Sequence, residues 1–331
     1  MAGLTLLAIV VFLLILGAEF VNGWTDAPNS IATVVTTRVL SPKAAIVMAA
    51  AFNIIGAFSG TAVAETIGTN IVRPEIINLQ TVAAAMIGII IWSTLAWKFG
   101  GLPTSESHGL LAGLAGAGLA LRGPEVLMLE GWKKVFLGLL FSTLVGFFLA
   151  FLIFRLIAWI FNRTGISKVR KTFGRWQIFS AAFMAFSHVS NDGQKFIGAF
   201  ALALLLSGMT KTFTIPPWVI FISAATMGIG TMTGGWKIIK TLGMKLTRLE
   251  PQHGFAAETA AATSIEVASR LGIPLSTTHT ISTAIMGVGA AEGTRKVRWS
   301  LARNIVAAWI LTFPVCAAIA WTITKIFLLL I

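Results

Sequence analysis

Gly101-Leu102-Pro103-Thr104-Ser105-Glu106-Ser107-His108 interrupts an apolar stretch of this chain, and Gly272-Ile273-Pro274-Leu275-Ser276-Thr277-Thr278-His279 repeats its pattern 171 residues later. In each copy glycine precedes proline by two positions, serine follows it by two and histidine by five. Each proline also follows an aspartate, Asp26 at a distance of 77 residues and Asp192 at 82. Polar, helix-breaking sequence at matching places in two halves of an apolar chain marks a transporter site built from discontinuous helices.

The composition supports the same class. Of 331 residues, 56% are hydrophobic and 11% charged, where a soluble domain carries about 25% charged residues. Stretches long enough to cross hydrocarbon recur at 4–21, 44–64, 81–97, 135–161, 176–206, 218–239 and 299–331. The opening stretch lacks the basic start of a signal peptide and runs straight into Asp26, so it reads as a span. A net charge of +13 would suggest a nucleic-acid partner in a soluble chain. Here Lys and Arg gather in short loops, as the positive-inside rule requires, and no nucleic-acid partner is expected. The densest cluster is Arg163, Lys168, Arg170, Lys171 and Arg175. The expectation is a multi-pass cell-membrane protein with this loop in the cytoplasm and both termini outside. The single cysteine, Cys316, can form no internal disulfide.

A cytoplasmic mid-chain loop and two outer termini give each half an odd number of crossings, so the halves have inverted topology. The expected division is a first repeat over 1–161, a basic linker over 162–175 and a second repeat over 176–331. The aspartates are offset by 166 residues and the prolines by 171. The fold class is therefore an all-α polytopic membrane protein, two inverted repeats with broken helices and helical hairpins, about ten to twelve membrane segments in all.

Two breaks are expected. At 22–30 the chain reads Asn-Gly-Trp-Thr-Asp-Ala-Pro-Asn-Ser, and at 188–195 His-Val-Ser-Asn-Asp-Gly-Gln-Lys. Carbonyls freed in a broken helix, with the carboxylates of Asp26 and Asp192, suit a cation. Asn29 and Asn191 add amide oxygens, and Thr25 and Lys195 stand beside them. An ionisable group inside a membrane costs at least about 2.5–3.5 kcal/mol, which makes function the default reading. The plain structural alternative is an Asp–Lys clamp, Asp26 with Lys195.

The Pro-Ser-His segments suit an anion. Proline fits the first turn of a helix, and half-helix N-termini offer free N–H groups and positive partial charge. Ser105, Ser107, Ser276, Thr277 and Thr278 add hydroxyl donors; the bland alternative has them back-bonded to helix carbonyls. Glu106, His108 and His279 lie in the same turns, each histidine able to cap, orient or titrate. Glu258 and Glu266 share one face of a later apolar helix. Asn53, Gln80, Gln177 and Asn304 read as helix-packing groups.

On these residues the chain resembles the inorganic phosphate transporter (PiT) family of secondary symporters. The resemblance rests on Gly23, Asp26 and Asn29, on Ser190-Asn191-Asp192, and on the two Pro-Ser-His segments. It implies import of inorganic phosphate coupled to sodium or protons, a homodimer, no other cofactor and no enzymatic activity. It also implies a transport role for Glu258, with Glu65 and Gln80 as stand-ins for its first-half counterpart. The family pattern has Gly-Ala-Asn-Asp in both copies, where Thr25 here replaces an asparagine. The assignment that follows places coupling sodium at Asp26 and Asn29 and at Asn191 and Asp192. Phosphate then lies between Ser105, Ser107, Ser276, Thr277 and Thr278. Bringing a dianion into a cell against 100 mV costs about 4.6 kcal/mol, so cations must accompany it.

A permease for sulfate or another tetrahedral oxyanion is the alternative within this fold. A channel would need a continuous polar lining, and an esterase a nucleophile elbow; neither pattern is present.

Overall fold

The computed structural model describes residues 6–26, 28–233 and 235–330 and contains no strand among them. Its first half runs α1 (Leu6–Thr25), α2 (Pro28–Thr36), α3 (Pro42–Ala57), α4 (Ala62–Asn70), α5 (Leu79–Phe99), α6 (Glu106–Arg122) and α7 (Leu129–Ile160). The second runs α8 (Ile166–Leu206), α9 (Pro217–Met232), α10 (Trp236–Ile239), α11 (Pro251–Arg270), α12 (Thr277–Glu292) and α13 (Trp299–Leu330). A π-helical segment, Lys240–Leu246, continues α10.

The halves repeat one plan. α3 and α4 form a pair bent by 67°, and α9 with the segment from Trp236 to Leu246 a pair bent by 66°. α5 and α6 form one helical hairpin, α11 and α12 the other. Both hairpins turn at a glycine with left-handed backbone, Gly101 (φ 55°) and Gly272 (φ 64°), a conformation that costs other residues a steric penalty. Proline two residues on delays the new helix, which starts only after Ser105 or Ser276 caps it. Each turn is held from the opposite half. Thr241 Oγ1 donates to Gly101 O at 2.9 Å, and Thr66 Oγ1 to Gly272 O at 2.8 Å.

The last helices are exchanged: α7 packs on α12 and α13 on α6. Glycine permits the approach, since a Cβ on Gly116 would stand 2.2 Å from Ala317 O and one on Gly287 2.2 Å from Phe147 O. Outward faces of α7 and α13 carry exposed Leu137, Leu144, Phe148, Leu152, Ile310 and Trp321, an apolar surface suited to lipid. By length and apolarity alone, four described helical stretches can cross a membrane, six with the bent pairs. The ten to twelve segments expected from sequence also count α6, α8, α11 and α12, which are shorter or more polar because they carry the site.

Two expectations are corrected. The break forms only in the first half, between α1 and α2; α8 runs through residues 188–193 without interruption. Pro28 has no N–H to continue the helix and crowds the preceding turn, whereas Gln194 stands at the equivalent place in α8. Gly193 alone only weakens a helix, by about 1 kcal/mol. The basic linker is also largely helical, because α8 begins at Ile166. At 1.5 Å per residue its 41 residues reach about 60 Å, twice the hydrocarbon thickness. Residues 1–5 and 331, the termini themselves, lie outside the described residues.

Gly287→Leu is expected to lower folded yield and thermal stability by about 1–3 kcal/mol through overpacking, and Gly116→Leu likewise. Gly165→Ala, with open space around it, serves as the neutral control in size-exclusion and thermal-unfolding measurements.

Candidate functional site

The site lies where α6 and α12 begin, beside the α1–α2 break and the middle of α8. Asp26 and Asp192 are each 1% exposed, and a carboxylate oxygen of each lies within 4.8 Å of the other and of a His188 nitrogen. Two like charges this close in a low-dielectric interior repel strongly unless protons, cations or donors compensate them. Both are approached by hydroxyls of the opposite half. Ser107 Oγ donates to Asp192 Oδ1 at 3.0 Å, and Thr278 Oγ1 donates to Asp26 Oδ1. Thr277 Oγ1 spans the pair, 2.7 Å from Asp192 Oδ2 and 3.4 Å from Asp26 Oδ2.

The donors flanking each aspartate are mirrored too. Asn29 Nδ2 donates to Asp26 Oδ1 and, at 3.1 Å, to Thr278 Oγ1. Lys195 Nζ donates to Asp192 Oδ1 and to Ser107 Oγ. Asn29 and Lys195 each stand three residues beyond their aspartate; a turn across the break, closed by Asn29 N donating to Asp26 O at 2.8 Å, and one helical turn of α8 place the two side chains over it. The sequence alternative of an Asp26–Lys195 clamp is not what forms, since Lys195 pairs with Asp192.

Ser105 and Ser276 act as N-caps: their Oγ atoms accept from His108 N at 3.3 Å and His279 N at 3.2 Å. The first-turn N–H groups beside them have no partner within their own helix. His108 and His279 meet edge to face at 4.6 Å, and His279 stacks on Trp309 at 3.8 Å. Their rings line a cavity of about 430 Å³ with Trp132, Phe136 and Phe313, an aromatic setting away from the aspartates. Asn191 is held by Ser269 Oγ (3.0 Å) and Ile273 O (3.2 Å), which ties α8 to the second hairpin.

Three further carboxyls are buried. Glu106 accepts from Thr25 Oγ1 at 2.8 Å and from Ser93 Oγ. Glu258 accepts from Thr33 and Ser180 hydroxyls and from Gln177 Nε2 at 3.1 Å. Glu19 of α1 is fully buried and faces Gly193, whose added Cβ would lie 3.9 Å from its Oε1. Glu65, one stand-in for a first-half acid, is exposed and bonded to Thr61 instead. Gln177, which reads as a packing group in sequence, belongs to the Glu258 cluster, as do Thr33 and Ser180. Thr33 lies on α2, four residues past Asn29, so one helical turn sets it along the same side as that residue.

At the basic end a cavity of about 680 Å³ is lined by Thr37, Arg38, Arg170, Arg248 and Glu250. Arg170 donates to Glu250, which holds that carboxyl down at about 2. Thr37 Oγ1 donates to Gln177 Oε1 at 2.8 Å, linking this cavity to Glu258.

The match to known proteins decides the family. Residues 22–320 fit the phosphate transporter family model. The chain belongs to the phosphate transporter family. It is 45% identical over 91% of both chains to a probable low-affinity inorganic phosphate transporter of Rhizobium meliloti (strain 1021). It is 37% identical over 96% of both chains to a protein so described from Bacillus subtilis (strain 168). The fold matches a solved structure titled the sodium-dependent phosphate transporter, with a TM-score of 0.82 over 99% of this chain and 100% of that one, at 24% identity. The family is one of membrane transporters and not of enzymes.

Ser107→Ala and Thr278→Ala remove mirrored hydroxyls. Each is expected to cost about 1–3 kcal/mol of stability by leaving buried groups unmatched, Ser107→Ala the more because Lys195 loses an oxygen. Thermal unfolding of the purified variants beside labelled phosphate uptake checks both.

Proposed function

We propose that this protein imports inorganic phosphate by symport with sodium or protons, the two repeats rocking to give alternating access. The observation that carries this reading is the contact between hydroxyl donors and carboxylates at the centre. Ser107, Thr277 and Thr278 all spend their protons on Asp26 and Asp192. A phosphate approaching this state meets oxygens and negative charge. A cation or proton arriving at the aspartates neutralises them and frees the hydroxyls to turn to the oxyanion. First-turn N–H groups of α6 and α12, beside Ser105 and Ser276, then complete the cradle. Cation first and anion second follows from this competition for the same donors.

Asp26 with Asn29 forms the clearest cation place; of the second pair, Asp192 bears the charge while the Asn191 amide is engaged by Ser269 and Ile273. Thr25 supports Glu106 in this scheme, and a carboxylate beside the anion can accept the proton that phosphate carries and sulfate lacks. Glu258 links the centre to the basic cavity. The positive-inside rule puts that cavity, with the start of α8, on the cytoplasmic side. Its Arg38, Arg170 and Arg248 then receive the departing anion. His108 and His279 brace the two half-helices against each other.

Phosphate uptake into proteoliposomes, with sodium and proton gradients imposed separately, tests the reading. Asp26→Asn is expected to reduce uptake at least tenfold and to remove its dependence on the driving ion. Unchanged uptake and ion dependence in that variant would sink the assignment. Full competition by excess sulfate would move it to a general tetrahedral-oxyanion permease.

A further inference from the structure

The two aspartates sit in matching hydrogen-bond frames, yet one partner differs in charge. In the first half Asn29 bridges Asp26 Oδ1 and Thr278 Oγ1. In the second half Lys195 bridges Asp192 Oδ1 and Ser107 Oγ in the same manner. The lysine stem is two atoms longer, and Nζ also donates to Leu275 O at 2.7 Å. The ammonium therefore has a carboxylate, a hydroxyl and a backbone carbonyl around it, the oxygen set that a hard cation takes in a broken-helix site. The first half keeps an oxygen to spare. Asn29 is fully buried, and its Oδ1 has no hydrogen-bond partner. That oxygen, with Asp26 and the Thr278 hydroxyl, is an incomplete version of the shell that already surrounds Lys195 Nζ.

We propose that the Lys195 ammonium is a resident cation, filling the second of two mirrored cation positions, so that at this centre only the Asp26–Asn29 position takes a cation from solution. The proposal rests on the symport reading above and narrows it. A symmetric pair of sites would load two mobile charges beside the aspartates. With a tethered charge on one side, each phosphate is accompanied by one fewer, and the cycle moves one less positive charge across the membrane. Lys195 is here a binding-site group that sets stoichiometry, not merely a clamp between α8 and the second hairpin.

The charge moved per phosphate, read in proteoliposomes as the membrane potential that halts net uptake, tests this for either coupling ion. Lys195→Asn gives the second half the same Asp-x-x-Asn spacing as the first. It is expected to carry one more positive charge per phosphate than the unchanged protein. Asn29→Lys fills the remaining position and is expected to carry one fewer. A wild-type ratio in either variant overturns the proposal. Thermal stabilisation of the purified proteins needs no turnover and is read against sodium chloride, with choline chloride as control, and against falling pH. Lys195→Asn should respond to one of these ions with a Hill slope higher by about one, and Asn29→Lys should lose the response. A Lys195→Asn protein no steeper than wild type toward both ions overturns the inference. Wild-type liposomes without phosphate uptake would remove the symport reading alone, leaving the thermal comparison to decide the role of Lys195.

Discussion

Two carboxylates lie side by side in a dry interior, and the rest of the molecule answers that constraint. Asp26 and Asp192 cannot both keep their charge there without donors or cations close by. Each receives a hydroxyl donor from the start of the half-helix belonging to the other repeat, Ser107 for Asp192 and Thr278 for Asp26. The interaction that stabilises the aspartates is thus also the interaction that joins the halves. In the symport we propose, whatever neutralises the acids loosens the joint and releases the donors together.

The exchanged packing of the last helices holds the arrangement in position. α7 rests on α12 and α13 on α6, so each hairpin is backed by a helix from across the pseudo-symmetry. Trp309 of α13 stacks on His279 and donates to Pro103 O at 3.1 Å, touching both hairpins at once. The turns at Gly101 and Gly272 are pinned by threonines of the bent pairs. A tilt of either bent pair would therefore move a hairpin tip, and with it the hydroxyls.

Duplication supplies the symmetry, and single residues break it. Pro28 opens the helix beside Asp26, while Gln194 lets α8 run on past Asp192, so one aspartate sits at a helix end and the other mid-helix. Asn29 is neutral where Lys195 is charged. Both differences fall within three residues of the central acids, where a small change in chain chemistry alters what the centre can bind.

The class of the fold, the two hairpins and the central aspartates were legible in the sequence, because each depends on short-range chemistry. Pro103 and Pro274 fix where a helix can begin, and a charge in an apolar run is conspicuous wherever it falls. The same local logic misjudged residues 188–193, whose glycine and polar groups look like a break. Inside the packed molecule Ser190, Asn191 and Asp192 find partners on α6, α11 and α12, and the helix is not interrupted. Gln177, Ser93, Ser180 and Thr33 are ordinary polar residues in sequence and became ligands of Glu106 or Glu258 only through packing. Glu19 is buried only because α1 is set against α8. What the sequence determined by itself is the spacing of breaks, caps and charges along each helix, which backbone sterics and burial dictate residue by residue. Which acid meets which hydroxyl was decided only in three dimensions, because partners such as Thr25 and Glu106, Ser107 and Asp192 or Thr278 and Asp26, 81, 85 and 252 positions apart, are brought together by helix packing and not by any pattern along the chain.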